Sequence, residues 1–263
     1  MSHPENFDDK LKQKNQILTA TLTDPISKKE IKFNVVNQPT LWRAKTLFTK
    51  EPITIEWIRN FEKKSIFFDI GANIGVYSIF SALINSSKVY SFEPESNNFQ
   101  ILMQNIITNN LIDEVSAFQI GITNKTEFTK LHLSNFIPGQ SHHTVGHSAL
   151  DHSNLQPIES NIKQGIFSTT LDDICSKWAF PKPTYIKIDV DGIEHKIIEE
   201  SKNTLLSDTL KSVLIEINEN RNEDNEIIKT LNKLGFKYDK EQVEKARRKS
   251  GEHIGYAEYL FYK

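Results

Sequence analysis

The hydrophobic positions of this chain fall into short apolar runs separated by helical periods. Ser65-Ile-Phe-Phe-Asp-Ile70 is one such run, closed by Gly71. Ile74, Tyr77, Ile79, Phe80, Leu83 and Ile84 then recur at the spacing of one helix face. Strand, tight turn and helix follow one another there. The rhythm repeats as strand Lys88–Glu93, helix Ser96–Asn109 and strand Val115–Ile120. It returns as helix Leu171–Trp178, strand Thr184–Asp189, helix Ile193–Leu206, strand Ser212–Ile217 and helix Glu223–Leu234, then strands Phe236–Tyr238 and Tyr256–Tyr262. Such alternation predicts βαβ units on a parallel sheet with right-handed crossovers. The last two strands have no convincing helical period between them and are expected to pair antiparallel at one edge.

Two stretches break the rhythm. Residues 1–30 are polar without a clear period and read as a loosely held lead-in. Trp42, Phe48, Ile55, Trp57, Ile58 and Phe61 predict at least one amphipathic helix over Thr54–Phe61, so residues 1–60 read as a lid or brace before a main domain of 61–263. Between Thr123 and Ser168 come Pro138, Gly139, Gly146, Pro157, Gly165 and five of the eight histidines. That stretch reads as loops with a short hairpin near Phe128–Leu133, and an insertion of this length inside a compact domain is often functional.

Composition narrows the class. Lys and Arg number 32 against 34 Asp and Glu, a net charge of −2, which argues against broad electrostatic binding of nucleic acid. The single cysteine, Cys175, cannot form an internal disulfide. No segment has the length and apolarity of a signal peptide or a membrane span, so the chain is expected to be cytoplasmic and unanchored.

The most informative text is Phe68-Asp69-Ile-Gly71-Ala-Asn73-Ile-Gly75-Val-Tyr77, a strand ending in a glycine loop that opens a helix. Gly71 and Gly75 let the backbone turn and approach a ligand closely, while the helix N-terminus offers free N–H donors. A dinucleotide fingerprint would have glycine where Asp69 stands. A carboxylate there repels a pyrophosphate but attracts, directly or through water, the ammonium of an amino-acid-like ligand. Glu93 ends the next strand, where an acid can take both hydroxyls of a ribose. Together these features describe a site for S-adenosylmethionine.

Five segments then resemble, in order, the motifs of the FkbM-type S-adenosylmethionine-dependent methyltransferases: Phe68–Tyr77, Ser91–Pro94, Thr169–Asp173, Ile186–Glu194 and Leu214–Ile217. The resemblance runs from about Glu51 to about Ile217. It implies an α/β, Rossmann-like class I methyltransferase fold, with a seven-stranded, mostly parallel sheet, an antiparallel C-terminal edge and helices on both faces. It also implies O-methylation of a sugar, polyketide or related small molecule or glycan. Carried over by position, Asp69, Gly71, Asn73, Gly75, Tyr77 and Glu93 would hold the cofactor, and Gly121 is expected to pass near the adenine. Family members often carry Glu at the position of Asp191 and a small residue at that of His195.

Ligands of open α/β sheets bind beyond the carboxyl ends of the strands. Lys187 and Asp189 project to one side of their strand, Asp191 lies in the turn, and Glu194 and His195 open the next helix. Glu216 and Asn218 end the neighbouring strand. Methyl transfer from a sulfonium needs alignment and deprotonation of a poorly acidic hydroxyl. Two routes fit. Asp189, Asp191, Glu194 or His195 acts as general base with Lys187 restraining the carboxylates, or Asp189, Asp191 and Glu216 hold Mg²⁺ that acidifies the hydroxyl. Helix capping by Asp191 and Glu194 is the structural alternative, as it is for Thr169–Asp173.

Other features give weaker readings. His132, His142, His143, His147 and His152 could share an ion or line a polar substrate loop. Lys245-Ala-Arg247-Arg248-Lys249 reads as a solvated hairpin loop, with phosphate or anionic-glycan contact as the alternative. The expected partner is a small-molecule or glycan hydroxyl acceptor, with no nucleic acid and no membrane. Methylation of RNA or protein is the rival activity, although an Asn/Asp-Pro-Pro-aromatic tetrapeptide is absent, and a non-catalytic cofactor-binding module is the rival class. Oligomeric state is not readable.

Overall fold

The computed structural model describes residues 17–146, 148–151, 154–251 and 253–263. Its strands are β1 (Leu18–Thr23), β2 (Glu30–Val35), β3 (Ile66–Ile70), β4 (Lys88–Phe92), β5 (Val115–Phe118), β6 (Gly121–Ile122), β7 (Glu127–Leu133), β8 (Thr144–Val145), β9 (Ala149–Leu150), β10 (Pro157–Ile158), β11 (Ile162–Thr169), β12 (Tyr185–Ile188), β13 (Ser212–Asn218), β14 (Lys237–Tyr238) and β15 (Tyr256–Tyr262). The helices are α1 (Gln38–Lys45), α2 (Pro52–Arg59), α3 (Val76–Asn85), α4 (Ser96–Thr108), α5 (Leu171–Lys177), α6 (Glu194–Glu199), α7 (Lys202–Leu205), α8 (Asn222–Lys233) and α9 (Lys240–Ala246).

Seven strands form the main sheet in the order β14-β15-β13-β12-β3-β4-β5. The run β13-β12-β3-β4-β5 is parallel throughout, while β15 pairs antiparallel with β13 and β14. The fold expected from the alternation, antiparallel edge included, is the one observed. Successive side chains of a strand face opposite ways. Phe67 therefore enters the hydrophobic cluster on one face and Phe68 the cluster on the other. Burial on both faces is why these strands read as continuous apolar runs.

Three expectations need correction. Residues 18–35 form the β1–β2 hairpin rather than part of a loose lead-in, and β2 docks on α4 through hydrogen bonds from the Lys32 and Asn34 N–H groups to Asn109 and Asn105. Thr123–Ser168, read as loops with a short hairpin near Phe128–Leu133, instead supplies β7, β8 and most of β11 to a four-stranded sheet ordered β6-β11-β7-β8, in which Glu127–Leu133 is a single strand paired with distant β11. The supposedly helix-free stretch before the last strand carries α9, capped by Asp239 and burying only Val243, so no apolar period marks it. Among the described residues no helix is long and apolar enough to cross a membrane.

Candidate active site

At the carboxyl end of β3 the chain reverses through three left-handed residues, Gly71, Asn73 and Gly75, with φ of 80°, 51° and 84°. A Cβ on Gly71 would lie 1.8 Å from the Asp189 carbonyl oxygen, and one on Gly75 would lie 2.3 Å from Leu102 Cδ1. The turn is thus pressed against β12 below and α4 beside it, which only glycine permits. Its N–H groups at Gly71 and Ala72 both donate to the Phe92 carbonyl, tying it to β4.

A cleft of about 280 Å³ opens over this turn and across the carboxyl ends of β3, β4, β12 and β13. Gly71, Asn73, Glu93, Gly121, Asp189, Asp191 and Glu216 all line it. Glu93 is held by two backbone donors, Asn73 N–H at 2.8 Å and Glu95 N–H at 2.9 Å, and burial pushes its carboxyl up to about 7. Each of its oxygens keeps acceptor capacity for a ligand hydroxyl. Beyond Glu93 the wall turns apolar through Phe92, Ile120, Ile122, Leu131 and Val145, with Gly121 among them.

Asp189 and Glu216 stand side by side with opposite electrostatics. Burial alone would raise Asp189, but the ammonium groups of Lys187 and Lys50 hold it well below the usual carboxylate range. Lys187 Nζ lies 2.7 Å from Asp189 Oδ2 and 3.9 Å from Glu51 Oε2, and 5.0 Å from the Tyr77 ring centre. Burial opposes the Lys187 charge, and the Asp189, Glu51 and Asp69 carboxylates outweigh it, so the ammonium titrates well above its usual range. Burial and the Asp189 charge instead push Glu216 up to about 7, even though Arg248 Nη2 forms an ion pair with it at 2.6 Å. The same guanidinium bonds Glu258, opposite Glu216 on β15, at 3.0 Å.

Other predicted residues lie off the cleft wall. Asp69 is buried in β3, where Oδ2 accepts from Ser78 Oγ at 2.5 Å, and Tyr77 packs beneath a small annex under the turn. Glu194 folds back to accept from Val190 and Gly192 N–H groups, so its geometry is that of a turn cap. His195 lies outside the cleft lining, and the charges felt by its half-buried ring are those of Lys196, Glu223 and Arg221. Asp191 accepts from His142 N–H at 2.7 Å. Asp189, Asp191 and Glu216 therefore each engage a different partner, and among the described residues no three His, Cys, Asp or Glu side chains gather to hold a metal ion. The Mg²⁺ route finds no support.

Of the five histidines of the insertion, His142 and His143 line the cleft and His132 packs within the insertion, while His147 and His152 lie outside the described residues. Thr170 caps α5, accepting from Asp173 N–H at 3.0 Å. Sequence reasoning missed Trp42, Arg43, Lys50 and Glu51. Arg248 it read as part of a solvated run, although Arg248 reaches the cleft.

Residues 69–238 match the family described as the methyltransferase FkbM domain. The chain belongs to this family. It is thus an S-adenosylmethionine-dependent methyltransferase. Hexuronic acid methyltransferase AglP of Haloferax volcanii is 20% identical to it over 186 residues, covering 71% of this chain and 70% of that protein. Methyltransferase FkbM from Methylobacillus flagellatus KT superposes with a TM-score of 0.49 at 15% identity, over 78% of this chain. The methyltransferase spans only 44% of that chain. P. horikoshii TYW2 in complex with MeSAdo gives a TM-score of 0.47 at 15% identity, over 94% of this chain and 72% of that one.

Proposed function

We propose that the methyltransferase moves a methyl group from S-adenosylmethionine to a hydroxyl of a carbohydrate or related small molecule, with Glu216 as general base. The observation that carries this reading is that the glycine turn, Glu93, Asp189 and Glu216 line one cleft. The lining fits the donor. Glu93 offers acceptors for a ribose diol, and the flat apolar wall beyond it suits a base. The low Asp189 carboxyl places a fixed negative charge where a cation would lie. S-Adenosylmethionine, when bound, supplies an electrophilic methyl on a sulfonium that leaves as a neutral thioether.

The chain's own residues do the rest. Asp189 stays ionised because Lys187 is locked beside it, so it orients and attracts without accepting a proton near neutrality. Glu216, titrating at about 7, is basic enough to take a hydroxyl proton and is substantially ionised at cellular pH. Two acids whose surroundings split their pKa values divide these roles. Similarity to a hexuronic acid methyltransferase supports a sugar acceptor.

The test is a screen of hydroxyl acceptors with methyl-labelled donor, run with and without EDTA. Transfer to a sugar hydroxyl that survives chelation is expected, and Glu216→Gln should lower kcat by roughly 10²–10⁴ while S-adenosylhomocysteine still binds. Label entering only RNA or protein nitrogen would sink the proposal.

A further inference from the structure

Three cations on the walls of the cleft and its annex are already matched by carboxylates. Lys50 Nζ lies 2.7 Å from Glu51, Lys187 Nζ lies 2.7 Å from Asp189, and Arg248 bridges Glu216 and Glu258. Arg43 differs. Among the described residues it has no carboxylate partner, and its one hydrogen bond runs from Nε to the Gly139 carbonyl at 2.5 Å. That bond leaves both terminal nitrogens of the guanidinium free to meet a ligand.

The position of Arg43 is built rather than incidental. Residues 138–140 of the insertion cross the mouth of the cleft as a strap. The Pro138 carbonyl accepts from Asn37 Nδ2, the cap of α1, and Gly139 N–H donates to Asn98 Oδ1 at 2.7 Å on α4. The Gln140 carbonyl accepts from Asn73 Nδ2 at 2.8 Å, within the glycine turn itself. Gly139, at φ 84°, sits so close to α1 that a Cβ would lie 2.9 Å from Thr40 N. Strap, α1 and glycine turn therefore hold Arg43 as one unit. Its side chain lines both the main cleft and the annex, whose other walls include Gly71, Asn73, Tyr77 and Asp189.

A planar guanidinium anchored at Nε presents a fork that matches a carboxylate. We propose that Arg43 binds the α-carboxylate of the methyl donor's amino-acid portion. The annex wall already holds the low-pKa Asp189, so an ammonium and a carboxylate on one carbon find opposite charges in adjoining positions. This inference rests on the cleft being the S-adenosylmethionine site. A carboxylated acceptor is the other possible source of such an anion, and the experiment separates the two.

Calorimetric titration of S-adenosylhomocysteine and of 5′-methylthioadenosine, which lacks the amino-acid portion, tests it directly. Arg43→Gln should weaken S-adenosylhomocysteine about 10- to 100-fold, the worth of a charge-assisted hydrogen-bonded pair. Methylthioadenosine affinity should stay within about twofold, which also certifies the fold. Unchanged S-adenosylhomocysteine affinity overturns the proposal, and a raised KM for carboxylated acceptors alone would reassign Arg43 to the acceptor. If Arg43→Gln weakens both nucleosides, Arg43→Lys decides. A selective loss for S-adenosylhomocysteine supports the clamp, and equal effects on both overturn it. Failure of the wild-type chain to bind either nucleoside would instead refute the cofactor site itself.

Discussion

Replacing Lys187 by methionine probes the buried charge network beneath the glycine turn. The residue is 2% exposed, and its ammonium serves Asp189 at 2.7 Å and Glu51 at 3.9 Å. Methionine keeps an aliphatic stem but leaves Glu51 and Asp69 in the interior without this cation. Removing one partner of a buried pair costs roughly 3–5 kcal/mol. Two features draw the expectation to the lower end: the Asp189 side chain is 21% exposed, and Lys50 still bonds Glu51 at 2.7 Å. A loss of about 3 kcal/mol at neutral pH is expected, a fall in Tm of roughly 6–12 °C for a chain of this size.

The pH dependence of that loss has a definite sign. Burial opposes ionisation of Glu51, but Lys50 and Lys187 hold it at about 2, and Asp189 is depressed as well. Carboxylates depressed in the folded state contribute stability above their unfolded pKa and lose it as pH falls. Lys187, raised in the folded state, contributes below its usual value and loses it only at high pH. The gap between wild type and variant should therefore be flat from about pH 6 to about pH 9 and narrow toward about pH 4. Urea unfolding followed by circular dichroism measures it. A gap below about 1 kcal/mol at neutral pH, or one that does not narrow on acidification, would refute the network as drawn.

Two further substitutions separate backbone geometry from chemistry. Gly71→Ala places a Cβ 1.8 Å from the Asp189 carbonyl at a φ of 80°, so the turn must leave β12; S-adenosylhomocysteine affinity should fall at least about tenfold. Gly165→Ala, where nothing lies within 4 Å of a new Cβ, should leave that affinity unchanged in the same titration. Glu194→Ala removes the acceptor for the Val190 and Gly192 N–H groups and should cost about 1–3 kcal/mol in urea unfolding. The pH profile of kcat should keep its shape in that variant, and disappearance of the acidic limb would restore Glu194 as the base.

Legibility in the sequence followed the range of the forces involved. Phe67 and Phe68 pack on opposite faces within one short strand, so β3 and its parallel neighbours announce themselves as apolar runs closed by a glycine turn. Gly71, Asn73 and Glu93, which line the cleft, are readable for the same reason, since their spacing is local, whereas Asp69, read as facing the ligand, is buried off the cleft wall. β7 and β11 were not readable as partners, because Leu133 meets Ile162 only after an excursion of loops and short strands. Arg43, Lys50 and Glu51 belong to a segment with no motif, and only the docking of α1 and α2 on the sheet brings them to the turn. Arg248 looked like one more solvated cation. Its partners Glu216 and Glu258, cross-strand neighbours of each other, come together only once β13 and β15 are in register.

The burial of Lys187 makes chemical sense within the proposed function. An acid that must attract a cation without consuming a proton has to stay charged inside the cleft, and an adjacent buried ammonium achieves that for Asp189. An acid that must accept a proton needs the reverse, a charge that is costly to hold. Glu216 has it, because burial and Asp189 itself oppose its ionisation more strongly than Arg248 favours it. Neutralising Asp189 should therefore lower the Glu216 pKa and weaken the base. In Asp189→Asn the acidic limb of kcat against pH, where the base becomes protonated, should move to lower pH, and an unmoved limb would assign the titration to another group.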